Sequence, residues 1–138
     1  MAGLALGWCV DGEGRSTVVA DEDLLAAPAG DLGDFAVVAL VGLPWAMAAR
    51  EQLGLPVTGA AALASAACTV GWMTGLALAG DLPGQELGLS PGDVDEAALV
   101  LLDAAEDPAL VPAPELPATD VVDAFRRGFE SAGDACVA

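Results

Sequence analysis

The sequence predicts a mainly α domain opened by a small β-hairpin. Only the first twenty residues hold two short apolar runs joined by a glycine-containing turn, whereas from residue 34 onward apolar residues recur at the three-and-four spacing of helices. Thirty alanines and six aromatics within a 55% hydrophobic composition point the same way, because a core of small side chains needs elements that approach closely. A length of 138 residues suits one domain, 1–138, with the hairpin in 3–20 and the helical part in 34–133.

Taken in order, Gly3 to Val10 and Ser16 to Ala20 are the hairpin strands, and Asp11-Gly-Glu-Gly-Arg15 is their turn, since two glycines supply positive φ. Residues Ala26 to Gly33 read as loop. Asp34 caps a helix from Phe35 through Arg50, with a kink or break expected at Pro44, which lacks a backbone donor. Ala60 to Ala79 follows as a central helix, with Leu63, Ala66, Val70, Met73 and Ala77 on one side and mostly alanine elsewhere, so it sits inside.

Ser90-Pro91-Gly92-Asp93 is a helix start, with serine as N-cap, proline at the first position and Asp93 closing a capping box. From Asp93 to Glu106 the pattern turns Val94, Ala97, Ala98, Leu101, Leu102 and Ala105 inward and leaves Asp95, Glu96, Asp103 and Glu106 in water. Asp107 to Ala118 contains four prolines and reads as a surface crossing. Thr119 then caps a last helix on which Val122, Phe125 and Phe129 recur, Asp123 pairs with Arg126 or Arg127, and Gly133 is available to stop the helix.

The charge is -17, from 21 acidic residues against four arginines and no lysine, which excludes a sequence-independent grip on nucleic-acid phosphates. Histidine is absent, and with it go the Ser-His-Asp triad, the Cys-His dyad and every His-ligated zinc centre within this chain. The turn at 12–15 is not followed by a helix and has no lysine to meet a phosphate, so it is no P-loop. The acids at Asp21, Glu22 and Asp23, and at Asp93, Asp95 and Glu96, do not match a calcium loop and read as solvated helix starts and loops. Cys9, Cys68 and Cys136 lack zinc-ribbon spacing, and no histidine is present to hold one as a thiolate nucleophile. Their number suits one disulfide plus one remaining thiol in an oxidising compartment. These residues call for no metal and no cofactor.

Gln52 to Gly80 is a run of 29 residues without a charge, long enough to cross a bilayer, and Gly71 and Gly75 form a G-x-x-x-G step. Gly54 and Pro56 interrupt its front, small and polar residues outnumber large apolar ones, and no Lys/Arg anchors flank it. The expectation is a buried helix of a soluble domain. The start, Met1-Ala-Gly-Leu-Ala-Leu-Gly7, has no basic segment of a secretory signal.

The closing stretch Ala124-Phe-Arg-Arg-Gly-Phe-Glu-Ser-Ala-Gly-Asp-Ala-Cys136 resembles the end motif of the neutral zinc metallopeptidase family, with an extra alanine between Ser131 and Gly133. Other segments are similar in the right order: Gly7-Trp8-Cys9 with Thr17-Val-Val-Ala-Asp21, Gly33-Asp-Phe-Ala-Val37, Leu53-Gly-Leu55 and Leu89-Ser-Pro-Gly-Asp-Val-Asp-Glu-Ala97. The resemblance covers residues 7 to 136 and the C-terminal half of a typical member. It implies a compact helical metallopeptidase-like domain.

That family carries H-E-x-x-H on the helix after Phe35, two histidines for zinc and a glutamate to activate water. Aligning Phe35 and Leu53-Gly54 without gaps puts Leu43, Pro44 and Met47 at those positions, and Leu63 where a third ligand would stand. None of the four binds zinc or moves a proton. The resemblance thus implies a non-catalytic pseudo-peptidase with a binding or scaffolding role, its ligand a peptide in the vestigial cleft. It also implies a Cys68–Cys136 disulfide, a partner for Cys9 upstream of this chain, and an extracytoplasmic or membrane-anchored parent protein.

Two readings of other classes stand beside it. An acidic interaction module for a basic partner would use the charge itself. A small helical membrane protein would be built around residues 57–80.

Overall fold

The computed structural model describes residues 6–84, 88–107, 116–131 and 133–136. Residues 3–5 of the expected hairpin and 108–115 of the proline-rich crossing lie outside them. Strands β1 (Leu6–Val10) and β2 (Ser16–Ala20) pair antiparallel, with Leu6 opposite Ala20 and Val10 opposite Ser16. Their turn is organised by Asp11, whose carboxylate accepts from the backbone N–H groups of Glu13 and Arg15, each at 2.9 Å, while Gly14 takes φ +79°. The Arg15 amide first, and then its guanidinium at 2.8 Å, hold the exposed Asp11 carboxyl below the usual aspartate range.

Among the described residues, five α-helices follow. The stretch 26–33 expected as loop belongs largely to the first of them, α1 (Glu22–Asp31). Asp21 caps it by accepting from the Asp23 N–H at 2.9 Å, and Glu22 and Asp23 favour its N-terminal dipole. Pro28 lies beyond the first turn and lacks the N–H for the Leu24 carbonyl, yet α1 forms, and it buries no residue. Helix α2 (Asp34–Gln52) likewise runs through Pro44 without a break, although proline removes the donor to the Leu40 carbonyl. Asp34 is its first residue; Gly33 is the N-cap and has no side chain to cap with.

The missing cap arrives from another helix. Glu96, expected in water, is half-buried and accepts from the Phe35 N–H at 3.2 Å. Gly33 makes room for it: at φ +127°, a Cβ there would lie 2.3 Å from the Glu96 carboxyl group.

Helix α3 spans Ala60–Ala79, as its pattern predicts, and Gly80 closes it in the left-handed conformation. It is long and apolar enough to cross a membrane, and 56% of its most apolar window is buried inside the protein. Helix α4 (Pro91–Ala104) starts on the expected Ser90/Asp93 capping box. Of the expected inward residues, Ala97, Leu101 and Ala105 are buried and Val94 and Ala98 pack against the core, whereas Leu102 is exposed; Val100 and Ala104 are buried besides. Helix α5 (Ala118–Glu130) begins at Pro117 rather than on a Thr119 cap, and it buries Val121, Ala124, Phe125 and Gly128 in place of Val122. Leu102 and Val122 instead line a shallow dip on the outer face of α4 and α5. Asp123 and Arg126 pair at 3.3 Å, as their spacing predicts.

Four helices close a ring in the order α2, α3, α5, α4, with α1 and the hairpin packed on α2. Leu40, Val100, Leu101 and Val121 are the largest fully buried side chains and mark its centre. The tightest seam is between α3 and α5. A Cβ on Gly71 would lie 1.9 Å from the Phe125 carbonyl oxygen, and one on Gly128 would lie 1.8 Å from that of Cys68. Neither methyl fits without separating two backbones, which are the least yielding neighbours a side chain can meet.

Gly128→Ala is therefore expected to cost about 3 kcal/mol or more in urea unfolding. Gly92→Ala, whose Cβ meets only the Ser90 hydroxyl at 3.5 Å, is the control and stays within about 1 kcal/mol of the parent.

Candidate functional site

The positions that the resemblance assigns to the lost metal centre are packed into the core. Leu43, Pro44 and Leu63 are buried, and Met47 is partly buried against the same cluster. Leu43 and Met47 lie one turn apart on one side of α2, the spacing of a ligand pair, and both are packing residues. Among the described residues, no three Asp, Glu, Cys or His side chains converge on a point where a metal could sit.

Cys68 on α3 and Cys136 in the short 3-10 turn Asp134–Cys136 are joined, with a Cα separation of 5.3 Å. Gly133 leads into that turn at φ +90° and lies flat on the Trp72 indole, where a Cβ would come within 2.4 Å of the ring. Cys9 is a free, exposed thiol on β1.

Beside the disulfide lies a buried polar chain that the sequence reading missed. Arg50, near the end of α2, is 5% exposed. Its Nε donates to the Pro56 carbonyl at 2.9 Å and its Nη1 donates to the Ser65 hydroxyl. Ser65 in turn donates to the Cys136 carbonyl. These bonds join α2, the 53–59 connection, α3 and the C-terminal turn, and they give the buried guanidinium donors the partners that burial demands. The only signal in the sequence was an arginine at the end of an apolar helix, which reads equally well as a dipole-complementing surface residue.

At the other end of β1 and β2 the hairpin is fastened to the same helix. Trp8 Nε1 donates to Glu51 at 2.5 Å, and the Gln52 amide donates to the Ser16 hydroxyl at 3.0 Å.

An apolar groove lies between α2 and α3. It encloses about 490 Å³ and is bordered by Phe35, Val38, Gly42 and Trp45 of α2 and by Val70, Met73, Thr74 and Ala77 of α3. Leu53 to Gly59 turn the chain back, so the helices run antiparallel and Gly42 meets Val70; a Cβ on Gly42 would lie 3.0 Å from the valine methyl. Thr74 leaves the wall apolar, because its hydroxyl donates to the Val70 carbonyl at 2.8 Å. Val38 and Trp45 stand at the rim, 55% and 47% exposed.

None of Leu43, Pro44, Met47 and Leu63 lines this groove. At 100° per residue, Leu43 and Met47 project from the far side of α2. The expected vestigial cleft and the groove are thus on different sides of one helix.

No known protein family, no curated protein and no solved structure matches this chain.

The disulfide closes a sequence separation of 68 residues, so its chain-entropy contribution is about 4 kcal/mol. Reduction under native conditions is expected to lower the urea midpoint accordingly, and the Cys9→Ser variant is expected to show the same drop, which assigns the effect to the Cys68–Cys136 pair.

Proposed function

We propose that this chain is a non-catalytic relative of the neutral zinc metallopeptidases and works by binding. The observation that carries the reading is the fate of the four equivalent positions. A leucine, a proline, a methionine and a second leucine stand where two histidines, a glutamate and a third ligand would be, and they pack into the core instead of a polar centre.

Such a change is physically coherent. Buried metal ligands need the cation to offset their desolvation, and replacing all of them by apolar groups removes that need while leaving the core filled. The disulfide between the two cysteines that the resemblance pairs supports the same reading. It also favours an oxidising, extracytoplasmic setting.

A second reading, an acidic module for a basic partner, is favoured by the placement of the positive charges. Of four arginines against 21 acids, Arg50 is buried, and Arg15 and Arg126 are paired with Asp11, Glu13 and Asp123. The surface is therefore almost wholly negative. That field speeds the approach of cationic partners and repels anionic ones. On either reading, α3 is a core helix and not a span.

Elemental analysis by inductively coupled plasma mass spectrometry, run beside a fluorogenic peptide-cleavage assay with and without added zinc, tests the first reading. The expected result is folded protein that carries no stoichiometric zinc and cleaves no peptide in either condition. Stoichiometric zinc or zinc-dependent cleavage would overturn it.

A further inference from the structure

We propose that the α2–α3 groove receives one face of a cationic amphipathic helix from a protein partner. This deepens the binding reading and rests on it, by naming the surface and the chemistry of what it binds.

The shape of the site suits a helix. Phe35, Val38, Gly42 and Trp45 follow one another at three and four along α2, and along α3 Met73 and Thr74 lie three and four beyond Val70, with Ala77 four and three beyond them. Because the helices are antiparallel, the two stripes face each other across a floor where Gly42 and Val70 approach closely. From Phe35 to Trp45 the channel is about 15 Å long, the rise of ten helical residues, which matches anchors spaced i, i+3 or i+4, and i+7. Trp45 and Val38 present large, half-exposed apolar surfaces at the rim, where water gains most by being displaced.

Charge selects the occupant. The groove lining contains no charged residue, while the exposed Asp34 and Asp81 adjoin Phe35 and Leu82 at the same end. A second copy would bring a second chain of net charge -17 against the first, and an anionic lipid surface would be repelled for the same reason. A helix with leucines on one face and lysines or arginines on the other meets both requirements: its apolar face fills the groove and its basic flanks meet Asp34 and Asp81.

Isothermal titration calorimetry with three synthetic helical peptides tests this. The first carries leucines at i, i+3, i+4 and i+7 with lysines elsewhere. The second has the same composition with the leucines scattered around the helix, and the third replaces lysine by glutamate. The striped cationic peptide is expected to bind at least about tenfold more tightly than either other peptide. Trp45→Gln and, separately, Val38→Gln are expected to weaken it about tenfold while leaving the far-ultraviolet circular dichroism unchanged, since both side chains are half exposed. Asp34→Asn combined with Asp81→Asn weakens it and reduces its salt dependence.

Equal binding of the scattered isomer, equal binding of the acidic peptide, no binding, or indifference to both groove variants would each overturn the proposal. So would a dimer in sedimentation that Trp45→Gln abolishes, which would assign the groove to a second copy. The readouts are independent of zinc and cleavage. A zinc-dependent activity with groove-dependent peptide binding sinks the non-catalytic reading alone, whereas inactive, metal-free protein that ignores the peptides sinks the groove alone.

Discussion

Everything in this fold that is close-packed depends on two glycines facing two carbonyls. Gly71 on α3 lies against the Phe125 carbonyl of α5, and Gly128 on α5 lies against the Cys68 carbonyl of α3. The contact is reciprocal, so the two backbones touch where side chains normally keep helices apart, in the manner of crossings stabilised by Cα–H groups against carbonyl oxygens. Gly75 continues the seam, its Cβ position 2.9 Å from the Phe129 carbonyl. An alanine-rich protein with few large side chains can bury surface only by such close approach, because dispersion contacts fall off steeply with a small gap.

The disulfide and the buried arginine are built around this seam. Cys68 stands at the glycine crossing itself, and its bond to Cys136 holds the segment that leaves α5 against the helix α5 packs on. Ser65, one turn earlier on α3, carries the Cys136 carbonyl on one side and the Arg50 guanidinium on the other. One short stretch of α3 therefore ties together α2, α5 and the C-terminal turn, while the opposite ends of α2 are tied by Glu96 and by Trp8. Because α5 and the disulfide take one side of α3, its remaining apolar side is shared with α2, and the two helices leave a groove between them.

That arrangement separates two things the resemblance had joined. The positions that the resemblance would align with metal ligands face the core across α2, and the open apolar surface is on the other side of the same helix. A binding role on the second surface does not depend on any remnant of the first. In complexes generally, charge sets the encounter and desolvated apolar contact sets the lifetime, and this protein carries a strongly negative charge and, separately, an apolar groove.

The sequence by itself determined what local chemistry decides. The hairpin turn at Asp11–Arg15, the Ser90/Asp93 capping box and the bounds of α3 follow from residues within a few positions of one another, so the pattern is sufficient. Only the tertiary structure decided the rest. The packing of α2 carried it through Pro44 against local preference, whereas α1, which buries no residue, owes its start to the local Asp21 cap. Glu96 became a cap because Gly33, 63 positions away, left a space for it, and Arg50 was buried because Pro56 and Ser65 offered acceptors. The burial of Val100 and Ala104 on α4, the exposed Leu102 and the groove at Trp45 depend likewise on which neighbour each helix meets. Periodicity says that a helix has an apolar face, but the partner that covers that face, or leaves it open, is set by contacts far apart in the chain.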